Sequence, residues 1–180
     1  MKIAVFYGTV EGHTRKIAGT MAAQLEEMGH QAMLVDVSQP GPTGVGEMDA
    51  AILAAPSHVG QYPPAFVSFI QNWKSQLADL PTALVTVSLG IASKIRVERE
   101  EAESFPEQLF EQTGWRASRV HNAAGALKYV EYDFFKRWMM RRISEMEGGP
   151  VDTSKDHELT SWDQLREFVS NFVLEVDMVQ

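Results

Sequence analysis

The stretch Ile3–Thr14, I-A-V-F-Y-G-T-V-E-G-H-T, decides the fold of this 180-residue chain. Its first part, Ile3–Tyr7, is apolar and rich in β-branched and aromatic side chains, which is typical of a buried strand. Glycine and hydroxyl residues follow, and a helical pattern begins at Thr14. The stretch therefore predicts a strand, a tight loop and a helix. The unpaired amide N–H groups and the dipole of such a helix favour an anion at its N-terminus, and a phosphate suits this position.

Two common nucleotide-binding motifs are absent from this loop. The spacing of Gly8 and Gly12 matches neither the dinucleotide fingerprint G-x-G-x-x-G nor the P-loop, and His13 stands where a P-loop has lysine. A phosphate held by hydroxyls and backbone amides is one interpretation of the loop. An ordinary strand-to-helix turn that uses threonine for capping is the other, and the loop alone does not decide between them.

The composition of the chain excludes several classes of function. The formal net charge is -8, which argues against nucleic-acid binding. There is no cysteine, so disulfides, a thiol nucleophile and cysteine-bound metals are excluded. The histidines have no metal-ligand spacing, and we expect no metal site. No segment resembles a signal peptide or a membrane span, so we expect a cytoplasmic protein whose membrane contact is peripheral, folded as a single domain over residues 1–180.

Strand and helix patterns alternate along the chain. The apolar runs predict strands at 3–7, 32–37, 50–55, 83–89 and 118–125. The helical periodicity predicts helices at 14–28, 63–77, 97–112 and 162–176. Thr160 and Asp163 have the spacing of a capping box before the last helix. Five strands that alternate with helices imply a parallel sheet covered on both faces.

Three loops that follow predicted strands form a candidate ligand site. In a doubly wound sheet, ligands bind beyond the carboxyl ends of the strands, near the point where strand order reverses. Each of the three loops contains glycine, serine or threonine. The candidate binding residues are Thr9, Val10, Glu11, Gly12, His13 and Thr14 in the first loop, Pro56, Ser57, His58, Val59, Gly60 and Tyr62 in the second, and Ser88, Leu89, Gly90, Ile91 and Ala92 in the third. The alternative is ordinary turn chemistry with one exposed aromatic residue.

An extra segment, about residues 126–159, separates the fifth predicted strand from the last helix. Its aromatic and apolar residues recur on one helical face, and the stretch 128–142 is net basic in an acidic chain. One interpretation is a helix packed on the core with a solvated basic face. The other is a helix that offers aromatics and cations to a membrane surface or to a carboxylate-bearing amphiphile. The candidates for this second role are Lys128, Lys136, Arg137, Trp138, Arg141 and Arg142.

These features together resemble a known family. Thr9–Thr14 resembles the flavodoxin phosphate loop, usually written [TS]-x-T-G-x-T, with Glu11 in place of the middle hydroxyl. Farther along, A-G-A-L-K-Y at 124–129, the aromatic and basic segment, the glycines 148–149 and a helix led by Trp162 resemble the menaquinone-dependent protoporphyrinogen IX dehydrogenase family. The resemblance covers nearly the whole chain.

The resemblance implies a flavodoxin-like sheet of five parallel strands in the order 2-1-3-4-5. It implies FMN in the three loops, with His58 or Tyr62 against one face of the flavin ring and the carboxylate of Glu11 turned to solvent. The implied reaction is oxidation of protoporphyrinogen IX to protoporphyrin IX in haem biosynthesis, with a membrane quinone as electron acceptor. Flavin N5, rather than a catalytic side chain, would carry the chemistry, and cations of the extra segment would meet the substrate propionates. A flavodoxin-type electron carrier and a flavodoxin-like fold without flavin remain the alternatives.

Overall fold

The computed structural model describes residues 1–39, 47–127 and 157–179. The strands are β1 (Lys2–Tyr7), β2 (Gln31–Asp36), β3 (Ala50–Pro56), β4 (Thr82–Ser88), β5 (Arg119–Ala124), β6 (Ala126–Leu127) and β7 (His157–Glu158). The helices are α1 (His13–Glu27), α2 (Pro64–Ala78), α3 (Arg96–Glu103), α4 (Phe105–Thr113) and α5 (Trp162–Val179), and a 3₁₀ turn covers Leu89–Ala92.

The first five strands form one parallel sheet in the order β2-β1-β3-β4-β5. This confirms the predicted fold class and strand order. The central strands β3 and β4 are buried at every position, which explains why their sequences are apolar without alternation. Strand order reverses between β1 and β3, so the loops that follow these two strands diverge and leave a crevice between them.

Helices cover both faces of the sheet and create two hydrophobic cores. On one face α1 and α5 pack against the strands, with Ile17, Met21 and Phe172 almost fully buried. On the other face α2, α3 and α4 contribute Phe66, Leu109 and other buried side chains. Within the described ranges, no helix is long and apolar enough to cross a membrane.

The prediction of a single helix over residues 97–112 is wrong. The structure has two helices there, α3 and α4, and Ser104 stands between them. Pro106 lies in the first turn of α4, where its missing N–H costs nothing. Inside a continuous helix, the same proline would lack a hydrogen bond and would clash with the carbonyl of Ala102. The other predicted elements are confirmed to within one residue at each end, except that α5 continues to Val179.

The capping box predicted from Thr160 and Asp163 is also wrong. Helix α5 begins one residue later than that box requires, and the carbonyl of Ser161 accepts the N–H of Leu165 at 3.1 Å. The hydroxyl of Thr160 is used elsewhere, since it donates to the carbonyl oxygen of Ala124 at 2.6 Å.

A two-stranded antiparallel ribbon, β6 with β7, closes the base of the extra segment. Ala126 pairs with Glu158, and Leu127 pairs with His157. The ribbon places residues 127 and 157 side by side at the carboxyl edge of the main sheet. The predicted substrate or membrane residues lie between them, outside the described residues: Lys128, Lys136, Arg137, Trp138, Arg141 and Arg142.

His121 on β5 gives the fold a testable pH dependence. Its ring stacks on Phe168 of α5, with centroids 5.1 Å apart, and burial lowers the pKa of His121 below its ordinary value of 6.5. The unfolded chain therefore binds more protons than the folded chain at mildly acidic pH. Above about pH 6.5 the full stability should be present, and the unfolding free energy should decline as the pH falls from there through the folded-state pKa.

Urea unfolding at a series of pH values would measure this effect. His121→Gln should remove part of the decline between neutral and acidic pH. Identical pH slopes for the variant and the wild type would contradict the assignment.

Candidate functional site

A cavity of about 470 Å³ lies at the carboxyl ends of β1, β3 and β4. This volume falls within the range of small-molecule sites. All three predicted loops contribute to its lining: Thr9, Val10, Glu11, His13, Thr14, Pro56, Ser57, His58, Val59, Ser88, Leu89 and Gly90. Residues that the sequence did not propose as binding residues complete it: Val87, Glu98, Glu101, Ala102, Phe105, Gly125 and Ala126.

The first loop leads directly into the N-terminus of α1. Gly12 precedes the helix with a φ of +85°, a left-handed conformation that favours glycine, and its N–H donates to the Thr9 hydroxyl at 2.9 Å. No side chain of the described residues caps the helix by a hydrogen bond. Thr14 is buried and lines the cavity. The first turn of α1 therefore presents backbone N–H groups and a hydroxyl at the cavity wall.

The second loop turns sharply at Val59 and Gly60. His58 and Gln61 exchange two backbone hydrogen bonds of 3.0 Å, and the two residues between them have φ values of +52° and +78°. Two left-handed residues in a row are typical of a tight hairpin turn. A β-branched residue is strained in this conformation, and the side chain of Val59 is 83% exposed at the cavity rim. The turn thus places His58 and Val59 along the cavity.

Tyr62 does not line the cavity, in contrast to the expectation that it faces the ligand. Its side chain is buried, and its hydroxyl bonds the Thr86 hydroxyl at 2.8 Å. Burial raises the pKa of Tyr62. The aromatic residue in the cavity wall is Phe105 at the start of α4, which the sequence placed inside a continuous helix. Four other candidates also lie outside the lining: Gly12, Gly60, Ile91 and Ala92.

The third loop is packed tightly against α3. The Ser88 hydroxyl accepts the N–H of Gly90 at 3.2 Å and caps the 3₁₀ turn. A Cβ at Gly90 would lie 2.8 Å from the Cβ of Ala102, so only glycine permits this approach. The contact brings α3 to the cavity, and Glu98 and Glu101 enter the lining with it. No sequence pattern predicts this contact, because it depends on how α3 packs.

The charged residues in the cavity lining are acidic. Glu11, Glu98 and Glu101 line it, and no lysine or arginine of the described residues does. Glu11 is half-buried, so the expectation that it faces solvent is not met in full. Glu98 accepts a hydrogen bond from the Ser93 hydroxyl at 2.7 Å. An anion in this cavity would therefore depend on amides and hydroxyls for its binding.

Ser57 provides an unused polar group at the end of β3. The residue is 3% exposed, and its hydroxyl oxygen has no hydrogen-bond partner within the described part of the chain. A buried hydroxyl without a partner costs free energy, so its presence in a folded protein needs an explanation. Ser57 lines the cavity, so a polar ligand there could satisfy it.

Comparison with known proteins agrees with this geometry. The family model for the flavodoxin domain matches residues 4–154. Protoporphyrinogen IX dehydrogenase [quinone] of Escherichia coli strain K12 is 31% identical to the chain, and the match covers 98% of this chain and 94% of the bacterial protein. The chain belongs to the flavodoxin-like protoporphyrinogen IX dehydrogenase family. The enzyme of the same name from Leishmania major is 29% identical, over 95% of this chain and 74% of its own length.

Solved structures support the fold of this family member. Oxidised flavodoxin 1 from Bacillus cereus superimposes with a TM-score of 0.58 at 13% identity, covering 97% of this chain and 98% of its own. A Fusobacterium nucleatum flavodoxin bound to flavin mononucleotide gives a TM-score of 0.52 at 14% identity, over 98% and 97% of the two chains. Identities this low establish the shared fold alone.

Proposed function

We propose that the protein is an FMN-dependent oxidoreductase that oxidises protoporphyrinogen IX to protoporphyrin IX and passes the electrons to a membrane quinone. The observation that carries this proposal is the cavity at the carboxyl ends of β1, β3 and β4, with an anion position at the N-terminus of α1. The family relatives bear the name of this activity. Because the acceptor is a membrane lipid, the protein would act at the cytoplasmic membrane surface through peripheral contact.

The residues of the cavity fit FMN better than a dinucleotide. The hydroxyls of Thr9 and Thr14 and the amides of the first turn of α1 would hold one terminal phosphate. The unused hydroxyl of Ser57 would meet a polar group of the flavin. The apolar wall at Ala102 and Phe105 would face the ring. No second phosphate position with a glycine fingerprint is available in the first loop.

The side chains of the site would bind and orient rather than react. When bound, FMN supplies the two-electron redox chemistry. The loops at 56–59 and 88–90 would hold the flavin ring at the cavity mouth, beside the start of the β6–β7 ribbon. The substrate would approach from the side of this ribbon. We propose that Lys128, Lys136, Arg137, Trp138, Arg141 and Arg142 in the segment between its strands engage the propionates or the membrane.

Replacing Ser57 with alanine should affect apoprotein stability and FMN affinity differently. In Ser57→Ala, the apoprotein loses an unpaired buried hydroxyl, so its stability should be unchanged or higher. FMN should bind roughly three- to tenfold more weakly, because one hydrogen bond is lost. Thermal unfolding of the apoprotein and fluorescence titration with FMN would check the two effects.

Ser88→Ala is the contrasting variant for apoprotein stability. Its hydroxyl caps the 3₁₀ turn, so its removal should destabilise the apoprotein. A stability loss in Ser57→Ala that equals the loss in Ser88→Ala would show that Ser57 has a structural partner.

The proposed reaction has a direct test. The purified protein, loaded with FMN, would be mixed anaerobically with protoporphyrinogen IX, and flavin absorbance would report reduction. A quinone analogue should then restore the oxidised spectrum, and porphyrin fluorescence should appear. Flavin binding without reduction by the porphyrinogen would favour the electron-carrier alternative, for which the acidic surface would dock a basic partner. Absence of flavin binding would overturn both.

A further inference from the structure

Thr160, which the sequence suggested only as a helix cap, connects two walls of the cavity through its hydroxyl. It lies two residues after the end of β7 and is 8% exposed. Its hydroxyl lies 2.6 Å from the carbonyl oxygen of Ala124 and 2.8 Å from Nε2 of His13. A threonine hydroxyl has one proton, and the Ala124 carbonyl can only accept. Thr160 therefore donates to Ala124 and accepts from His13, so Nε2 of His13 carries a proton.

His13 is the first residue of α1, and its side chain lines the cavity. It follows Gly12, whose left-handed backbone aims the first loop into the helix. The bond to Thr160 thus ties the start of the phosphate loop's helix to the end of β5. Gly125, the residue after Ala124, lines the cavity on the side where β5 ends.

Neighbouring contacts strengthen the same junction. Lys16 of α1 forms an ion pair of 2.6 Å with Glu158 and lies 5.1 Å from the centre of the Trp162 ring. The Trp162 ring also meets the His13 ring edge-on, with centroids 6.4 Å apart. One side of the first turns of α1 is therefore in contact with residues 158–162.

One hydrogen bond within the first loop, from the N–H of Gly12 to the Thr9 hydroxyl, is exposed to solvent. Among the described residues, no side chain caps α1 by a hydrogen bond. Exposed bonds of this kind restrain a loop poorly. The part-buried hydrogen bond between His13 and Thr160 adds a restraint from outside the loop.

We propose that Thr160 is a positioning residue for cofactor binding, acting through His13 on the phosphate loop. This inference rests on the proposed function, because it assumes that the loop holds the FMN phosphate. Loss of the Thr160 hydroxyl would remove one restraint on the His13 ring and would make the loop less well ordered for the phosphate. The expected consequence is weaker FMN binding without general unfolding.

Fluorescence titration of the apoprotein with FMN tests the proposal. Thr160→Val keeps the shape of the side chain and removes the hydroxyl, and it should raise the Kd for FMN by about five- to tenfold. Thr160→Ser restores the hydroxyl and should recover most of the affinity. Ser118→Ala is a matched control, since its hydroxyl also donates to a backbone carbonyl, that of Thr82, at the far edge of the sheet. This control should leave the Kd unchanged.

A double-mutant cycle of Thr160→Val and His13→Ala distinguishes positioning of the phosphate loop from general stabilisation of the fold. If Thr160 acts through His13, Thr160→Val should add little to the Kd of a His13→Ala protein, and the ³¹P resonance of bound FMN should shift in both single variants. If Thr160 has only a structural role, its loss should lower the Tm, its effect on Kd should add to that of His13→Ala, and the ³¹P resonance should not shift. Additive effects on Kd or an unshifted ³¹P resonance would each overturn the proposal. If Thr160→Val fails to fold, an unchanged Kd and ³¹P resonance in His13→Ala would overturn it equally. Failure of the wild type to bind FMN would instead refute the proposed function.

Discussion

Replacing Thr9 and Thr14 together with alanine should weaken FMN binding by at least about tenfold. Each hydroxyl is expected to donate a hydrogen bond to the charged phosphate, and such bonds contribute roughly 1.5–3 kcal/mol each. A loss of about 1.4 kcal/mol already corresponds to a tenfold change in Kd. The effect should be large because the cavity offers no lysine or arginine from the described residues to compensate. Equilibrium titration of the apoprotein would measure it.

Thr20→Ala is the matched control for this double variant. Thr20 lies on the same helix, and its hydroxyl donates to the carbonyl of Lys16 at 3.0 Å, away from the cavity. It should leave the affinity for FMN unchanged.

The same titration with FAD should give weaker binding than with FMN, because the loop offers one phosphate position. Equal or tighter binding of FAD, or an unchanged Kd in the double variant, would contradict the assignment of the loop.

The sheet and the positions of its loops could be predicted because local patterns determine them. β3 and β4 are buried on both faces, so their sequences are continuous apolar runs. Gly8 marks the end of β1, where a Cβ would lie 3.2 Å from the Cβ of Phe66. Strand ends in a parallel sheet meet at one edge, so predicting the strands was enough to bring the three loops together.

The far wall of the cavity could not be predicted because it depends on packing between distant elements. Phe105 reaches the cavity because the helix breaks before Pro106, and the break was hidden in a periodic pattern. Pro106 was the feature of the sequence that could have indicated this break between two helices. The position of Tyr62 was missed for a similar reason, since Tyr62 lies before α2 and its hydroxyl bonds Thr86 on the distant strand β4. Thr160 offered a familiar capping spacing, but its hydroxyl bonds across the fold to Ala124 and His13.

The β6–β7 ribbon gives the extra segment a defined place in the proposed function. Ala126 lines the cavity and pairs with Glu158, so the two described ends of the segment lie beside the cavity. Its basic residues lie outside the described part of the chain, and their role rests on charge and position in the sequence. The cavity lining itself is acidic, as Glu98 and Glu101 show. A substrate with propionates would therefore need cations from elsewhere, and this segment is the nearest basic stretch in the sequence.

Reversing Lys136, Arg137, Arg141 and Arg142 to glutamate should sharply reduce porphyrinogen turnover or binding to anionic vesicles, and it should leave FMN binding and the Tm nearly intact. Changes of exposed charge usually alter stability by within about 0.5 kcal/mol, whereas attraction to a dianionic substrate would become repulsion. High salt should mimic the loss in the wild-type protein, because exposed charges are screened beyond about 10 Å at 0.1 M ionic strength. Turnover with a soluble quinone analogue and binding to anionic vesicles would be measured in parallel.

The control is an equal reversal of charge at the opposite edge of the sheet, using Lys2, Lys74, Arg116 and Arg119. The last two form exposed ion pairs with Glu107 and Glu175, and such pairs contribute little to stability. A small fall in Tm is therefore expected, and turnover should persist. A substrate role for the segment lowers turnover with the soluble quinone, whereas a membrane role spares it and lowers vesicle binding alone. Unfolding of the segment variant together with loss of flavin would instead indicate a helix packed on the core. Full turnover and full vesicle binding would remove any special role for the segment.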